Sequence, residues 1–234
     1  MTQPMIDAGS TALWSALTLA SFAATRAVHR RRPRWWLMPL ITAPLGIALI
    51  LLVFHVPYAT YRAGAGWLLW MLGPAVTAFA VPIYDQRAMI RRYWRPLLAG
   101  MIAGSATSFL SGWALASALG IDGPLRLSLL PRSVSTPFAM AISAEIGGMP
   151  DITAVFVIAT GILGALLGEA AVMRGLPSGR TAQGAMVGVA AHAIGTAQVQ
   201  SLHPRVGAVA GLAMVLTGLL NLALAPLVLW FLPT

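Results

Sequence analysis

Apolar runs of about 18 residues or more, almost free of charge, recur through this chain of 234 residues, separated by short arginine-bearing gaps, and a soluble core cannot enclose so much continuous apolar surface. The clearest runs are 10–28, 36–54, 65–84, 97–119, 151–173 and 206–231, and two more polar, interrupted stretches lie at 126–146 and 181–200. A helical crossing takes roughly 20 apolar residues, so the pattern predicts an all-α, polytopic integral membrane protein of about six to eight transmembrane segments, some broken or re-entrant. The longest polar connection, Asp85 to Arg95, leaves no room for a soluble domain, and residues 1–234 are expected to form a single membrane domain. The composition agrees, being 58% hydrophobic and 9% charged where soluble domains carry about 25% charged residues.

All fifteen basic residues are arginine and only six residues are acidic, giving a formal net charge of +9. The arginines sit in the gaps between apolar runs, where the positive-inside rule puts them, which argues against a nucleic-acid partner. Asp7 precedes the first run, and Arg26 at its end with Arg30, Arg31, Arg32 and Arg34 after it predict an uncleaved first helix with its N-terminus outside. One arginine falls in the gap 55–64, whereas Arg87, Arg91, Arg92 and Arg95 crowd the next, so 29–35 and 85–96 are expected as cytoplasmic loops. The absence of cysteine excludes disulfides and thiolate metal sites.

The same bookkeeping tests the stretch 126–146. Were it to cross fully, 151–173 would deliver Arg174 and Arg180 to the outside; a stretch that enters and leaves on one side keeps them in the cytoplasm. Pro131, Arg132, Ser133, Ser135, Thr136, Pro137, Glu145, Gly147 and Gly148 make it too polar for lipid, and irregular backbone at membrane depth survives only against protein or a water-filled cavity. Thr160-Gly161-Ile162-Leu163 recurs as Thr217-Gly218-Leu219-Leu220, and each follows a polar, helix-interrupting segment: Pro131 to Pro137 in the first case, His192 to Gln198 with Gly195 in the second. Gly73-Pro74 with Pro82 supplies a third interruption, which outlines repeat-like units near 65–120, 126–173 and 181–231. The pairs Gly100/Gly104, Gly164/Gly168, Gly184/Gly188 and Gly207/Gly211 have the spacing that lets membrane helices approach closely, within the chain, in a homo-oligomer or against a partner.

Three blocks resemble the signature of the LrgB/CidB membrane proteins, in family order across most of the chain. The first is Leu129 to Met140, LLPRSVSTPFAM, followed by EIGGMP from Glu145 and TAVFV from Thr153. Leu72 to Ala75 with Ala80 to Tyr84 forms the second, and Ala191 to Ala197, AHAIGTA, trailed by Gly211 to Met214, the third. Arg132 stands where the family more often has lysine, Ser135 where it has threonine, Gln198 where a basic residue is expected and Glu169 where proline is common. The resemblance implies a multi-pass protein of the bacterial cytoplasmic membrane acting with a small LrgA/CidA-type membrane partner. It carries two functional readings: a transporter of small carboxylates of the glycolate, glycerate, lactate or pyruvate class, as in the similar plastidic glycolate/glycerate translocator, or an antiholin/holin-like regulator of murein hydrolase activity and cell lysis.

An intramembrane arginine costs about 2.5–3.5 kcal/mol on insertion scales, which makes Arg132 the first candidate substrate ligand. Pro131 and Pro137 free backbone N–H groups around it, and Ser133, Ser135 and Thr136 add hydroxyls; the alternative is an arginine that anchors a re-entrant tip at the interface. His192 and Thr196 are candidates on the second interrupted stretch, with proton shuttling and a helix-packing hydrogen bond as the two readings of His192. Glu145, Asp151 and Glu169 are candidates for ion coupling; Glu145 could instead pair with Arg132, and Asp151 could cap the following helix. No GK[ST] phosphate loop, HExxH or GxSxG motif is present, so neither catalysis nor a cofactor or metal is expected.

Overall fold

A computed structural model of the chain describes residues 8–32, 34–78 and 80–231, all in helices, turns and connecting segments, with no strand among them. Two compact units emerge, Met1–Thr77 and Ala78–Thr234. In the first, α1 (Ala8–Arg31), α2 (Pro39–Val53) and α3 (Tyr58–Ala65) pack together. Gly64 permits the closest approach: Trp14 lies against it, and the Ser15 hydroxyl accepts from Trp67 Nε1 at 2.7 Å beside the Gly64 carbonyl. Trp14 and Tyr61 meet edge to face with centroids 5.8 Å apart.

Two expectations are corrected in this region. The run 36–54 yields a helix of only 15 residues with Pro44 inside it, about 22 Å long against a bilayer core of about 30 Å. The run 65–84 is no single span, because a 3-10 segment, Gly66–Met71, leads into the short helices α4 (Leu72–Ala78) and α5 (Ala80–Asp85). Pro74 and Pro82 each stand third in their helix, where a missing N–H leaves no hydrogen bond unmade, so they and Gly73 mark helix starts.

The second unit contains α6 (Arg87–Ala118), α7 (Gly123–Leu129), α8 (Thr136–Glu145), α9 (Pro150–Met173), α10 (Arg180–Leu202) and α11 (Pro204–Phe231). Arg87–Ala118, Pro150–Met173 and Pro204–Leu227 are the three helices among the described residues long and apolar enough to cross a bilayer. The chain is an all-α membrane protein. The arginine-rich segment 85–96, expected as a loop, is mostly helical: α6 begins at Arg87 and bends at Tyr93 (φ −115°, ψ 19°). The Pro96 ring clashes with the carbonyl four residues back, which forces the bend where the charged end of the helix meets its apolar body.

Both interrupted stretches turn back on themselves. The first descends along α6, with Arg126 over Trp113 and Leu129 against Gly112, turns at 130–135, and returns as α8. Its two ends meet on buried Thr153 of α9, whose hydroxyl lies 3.1 Å from the Ser128 carbonyl and 2.7 Å from Ser143 Oγ. The second reversal falls within α10 at His192, where φ is +37° and ψ −132°. A straight helix would hold Val187 and Gly195 about 12 Å apart, yet a Cβ on Gly195 would sit 3.1 Å from the Val187 side chain, and Val187 shares a core cluster with Val199. Residues 180–191 and 193–202 are therefore the limbs of a hairpin. Gly195, expected as the break, is instead the small residue that lets the limbs close.

Glycines set the packing around the second hairpin. A Cβ at Gly164 would meet the Ala190 carbonyl at 2.8 Å, one at Gly184 the Val206 carbonyl at 2.7 Å, and one at Gly188 would overlap the backbone of Ala210. These contacts also fix direction: the limb 180–191 runs antiparallel to α9 and parallel to α11. Because the Ala210 backbone cannot swing aside as a side chain can, Gly188→Ala is expected to cost about 1–3 kcal/mol. Thermal unfolding of the purified protein checks this, with Gly100→Ala as the unaffected control, since a Cβ there meets nothing within 4 Å.

Candidate functional site

The two hairpin tips meet halfway along the spanning helices. His192 packs on Gly161, the midpoint of α9, and its imidazole faces the main-chain carbonyl of Arg132 in the other tip. Phe138, just past the first tip, lies against Gly218 at the midpoint of α11. The recurring Thr-Gly pairs thus occupy corresponding places: in each, the glycine of one spanning helix receives the reversal that belongs to the other. Glycine is required at both, because a Cβ on Gly161 would come within 3.0 Å of the His192 ring and one on Gly218 would overlap the Phe138 ring.

Arg132 is half-buried and donates from Nη2 to Ser111 Oγ on α6 at 2.9 Å, with Nη1 close to Gly112. Glu145 does not meet it; that carboxylate is exposed at the end of α8, and no ion pair joins the two. Asp151 does not cap α9 either. The cap position is Met149, Pro150 follows, and Asp151 lies in the first turn, where a negative charge favours the helix dipole. Glu169 accepts a hydrogen bond from Gln198 Nε2, two helical turns, or about 12 Å, along α9 from Gly161. The three acidic candidates are therefore dispersed, and among the described residues no group of three His, Cys, Asp or Glu side chains could hold a metal ion.

The hydroxyl and imidazole candidates do gather. Ser133 lies in the turn after Arg132, Pro131 accepts from the Val134 amide at 3.1 Å, and Ser135 takes the cap position of α8, with Thr136 and Pro137 in its first turn. The Ser135 side chain makes no capping bond, and its buried Oγ has no hydrogen-bond partner among the described residues. The same holds for His192 Nε2 and, one turn along the returning limb, for Thr196 Oγ1. Buried polar atoms are normally satisfied, so these three orphan atoms stand out from the rest of the fold.

The opposite wall escaped the sequence reading. Ser105 and Ser108 of α6 and Thr217 and Asn221 of α11 join Ser133 and Val134 around a cavity of about 10 Å³, room for a single water. Asn221 Nδ2 donates to Ser105 Oγ and to the Thr217 carbonyl, both at 2.8 Å, while Ser108 Oγ and Thr217 Oγ1 are buried and have no partner among the described residues. The one available signal was asparagine inside the apolar run 206–231, since an amide in lipid needs an internal partner.

A family model for the LrgB-like family matches residues 18–231 of this chain. The chain belongs to the LrgB-like family. Among its relatives, the Bacillus subtilis protein YxaC is 36% identical over 214 residues, covering 92% of this chain and 93% of its own length. A protein of Haemophilus influenzae is 31% identical over 216 residues, 92% and 94% of the two chains. The holin-like protein CidB of Staphylococcus aureus is 29% identical over 213 residues, 91% and 93%. No solved structure matches.

Thr153 is what closes the first hairpin, so Thr153→Val, which keeps the shape but strands Ser143 Oγ, should cost about 1–3 kcal/mol. Thr153→Ser should restore most of the loss, and thermal unfolding of the two variants compares them.

Proposed function

We propose that this LrgB-like protein is a secondary transporter of small organic carboxylates in the bacterial cytoplasmic membrane, acting with a small LrgA/CidA-type partner. The observation that carries the reading is the meeting of two reversals at mid-helix depth, one presenting Arg132 and the uncapped start of α8, the other His192. Discontinuous helices that face each other at the bilayer midplane from two related halves are the usual binding architecture of secondary transporters. The antiparallel run of α9 and α11, each paired with a hairpin, makes the halves an inverted pair.

In this reading Arg132 is the counter-ion of the carboxylate, released from Ser111 to form a charge-assisted bond. Ser133, Ser135 and Thr136 donate from the tip, assisted by the partial positive charge at the start of α8, and the free Nε2 of His192 and the Thr196 hydroxyl face the substrate's hydroxyl or keto oxygen. Glu169 lies about 27 Å along α9 from Asp151, so Glu145, Asp151 and Glu169 do not form one ion site, and each is a separate candidate for ion coupling. The N-terminus is outside and the arginine-rich end of α6 cytoplasmic, as the distribution of arginine favours.

A second reading has its own support in the name of CidB, a holin-like protein: assembly in the membrane that modulates lysis. Uptake of labelled glycolate, lactate and pyruvate into proteoliposomes, with and without the small partner, separates the two. The transporter reading expects saturable uptake that falls on the order of 10- to 100-fold in Arg132→Ala at equal membrane abundance, as loss of a charged hydrogen bond implies. Absence of uptake by folded protein in every combination, with lysis effects that survive Arg132→Ala, would move the assignment to the holin-like reading.

A further inference from the structure

Beside the tip site, a second and larger cavity of about 640 Å³ lies between α6 and the limb 180–191. It begins at Tyr93 and Pro96 on α6 and at Ser178 to Thr181 on the approach to α10, and extends past Gly100, Met101 and Ala185 to Gly104 and Val189. By helix rise it covers about 15 Å of depth, from the arginine-rich end of both helices to the level of the hairpin tips. Its outer end is cationic. Arg180 is part of the wall and exposed, and Arg92 is held 5.4 Å over the Tyr93 ring; no acidic residue lines the cavity.

Gly104 and Val189 also line the small polar cavity that holds Ser108, Ser133, Thr217 and Asn221. The Val189 side chain is seated on Gly104 where these two residues line both spaces. We propose that the larger cavity is the route by which a small carboxylate reaches the tip site from the arginine-rich face, and that Val189 against Gly104 is its hydrophobic gate and size filter. This deepens the transporter reading and rests on it. An apolar constriction blocks water and ions by dewetting while it is narrow, yet passes a small organic acid once the valine withdraws. Glycine at 104 gives the valine its seat, and the small polar cavity behind it, which Ser133 lines beside the tip site, opens only when that seat is vacated.

The gate is tested on the naturally cysteine-free chain by single-cysteine labelling in sealed vesicles, with a charged, membrane-impermeant thiol reagent applied from each side. Ala185→Cys, in the cavity wall, should label from the arginine-rich face alone; Ser133→Cys, behind the gate, should label at least tenfold more slowly from that face. Adding Val189→Ala to Ser133→Cys should remove most of that difference, and Val189→Ala alone should let longer-chain carboxylates compete for uptake. The gate is refuted if Ser133→Cys labels as fast as Ala185→Cys with Val189 in place, or if Val189→Ala leaves its rate unchanged. Failure of Ala185→Cys to label from either face would mean that lipid or another helix fills the cavity, and refutes the route. Labelling needs no transport, so a protein that gates as described but takes up no carboxylate would overturn the transporter reading and leave the gate standing.

Discussion

A chain that reverses inside the apolar layer must find internal partners for every polar group it frees, because lipid supplies none. The second unit has two such reversals, and most of its construction answers that demand. Thr153 ties the ends of the first hairpin, Arg126 holds its descending limb to the Ile121 carbonyl and pairs with Asp122, and Ser111 occupies the Arg132 guanidinium. Around the second hairpin the solution is different: glycines bring backbones so close that no lipid can intervene. Ser135 Oγ, at the start of α8, and His192 Nε2, at the second reversal, are among the buried atoms that these devices leave without a partner among the described residues.

The contrast between the two reversals explains how each could be read from sequence. The first advertises itself through two prolines, an arginine and three hydroxyls in seven residues, and through Arg174 and Arg180, which only a returning stretch keeps on the same side as the other arginine clusters. The second carries no proline and turns at a histidine with positive φ, a conformation for which the sequence has no reliable marker. Gly195 has the composition of a helix breaker, but its work is to accommodate Val187 across the hairpin. The recurrence of Thr-Gly at 160 and 217 was legible as a pattern; that each glycine seats the other half's tip needed three dimensions.

The far wall of the site was hidden for a related reason. Serine and threonine are ordinary in membrane helices, where a hydroxyl can bond the carbonyl one turn back, as Thr42 and Thr18 do here. Nothing local separates Ser108 Oγ and Thr217 Oγ1, which lack a partner among the described residues, from those satisfied hydroxyls. Likewise α2 and the region of α4 and α5 have the composition of spans but not the continuity, because prolines and a 3-10 segment interrupt runs that a count of apolar residues treats as whole.

The hydrogen bond between Glu169 and Gln198 has a consequence for how such a protein changes over generations. The two residues touch although 29 residues separate them in the chain. A glutamate introduced at 169 beside an apolar neighbour would strand its polar head, and a lone change at 198 would do the same in reverse. The two sites are thus one unit of exchange: a chimera that splits them inherits half of a bond.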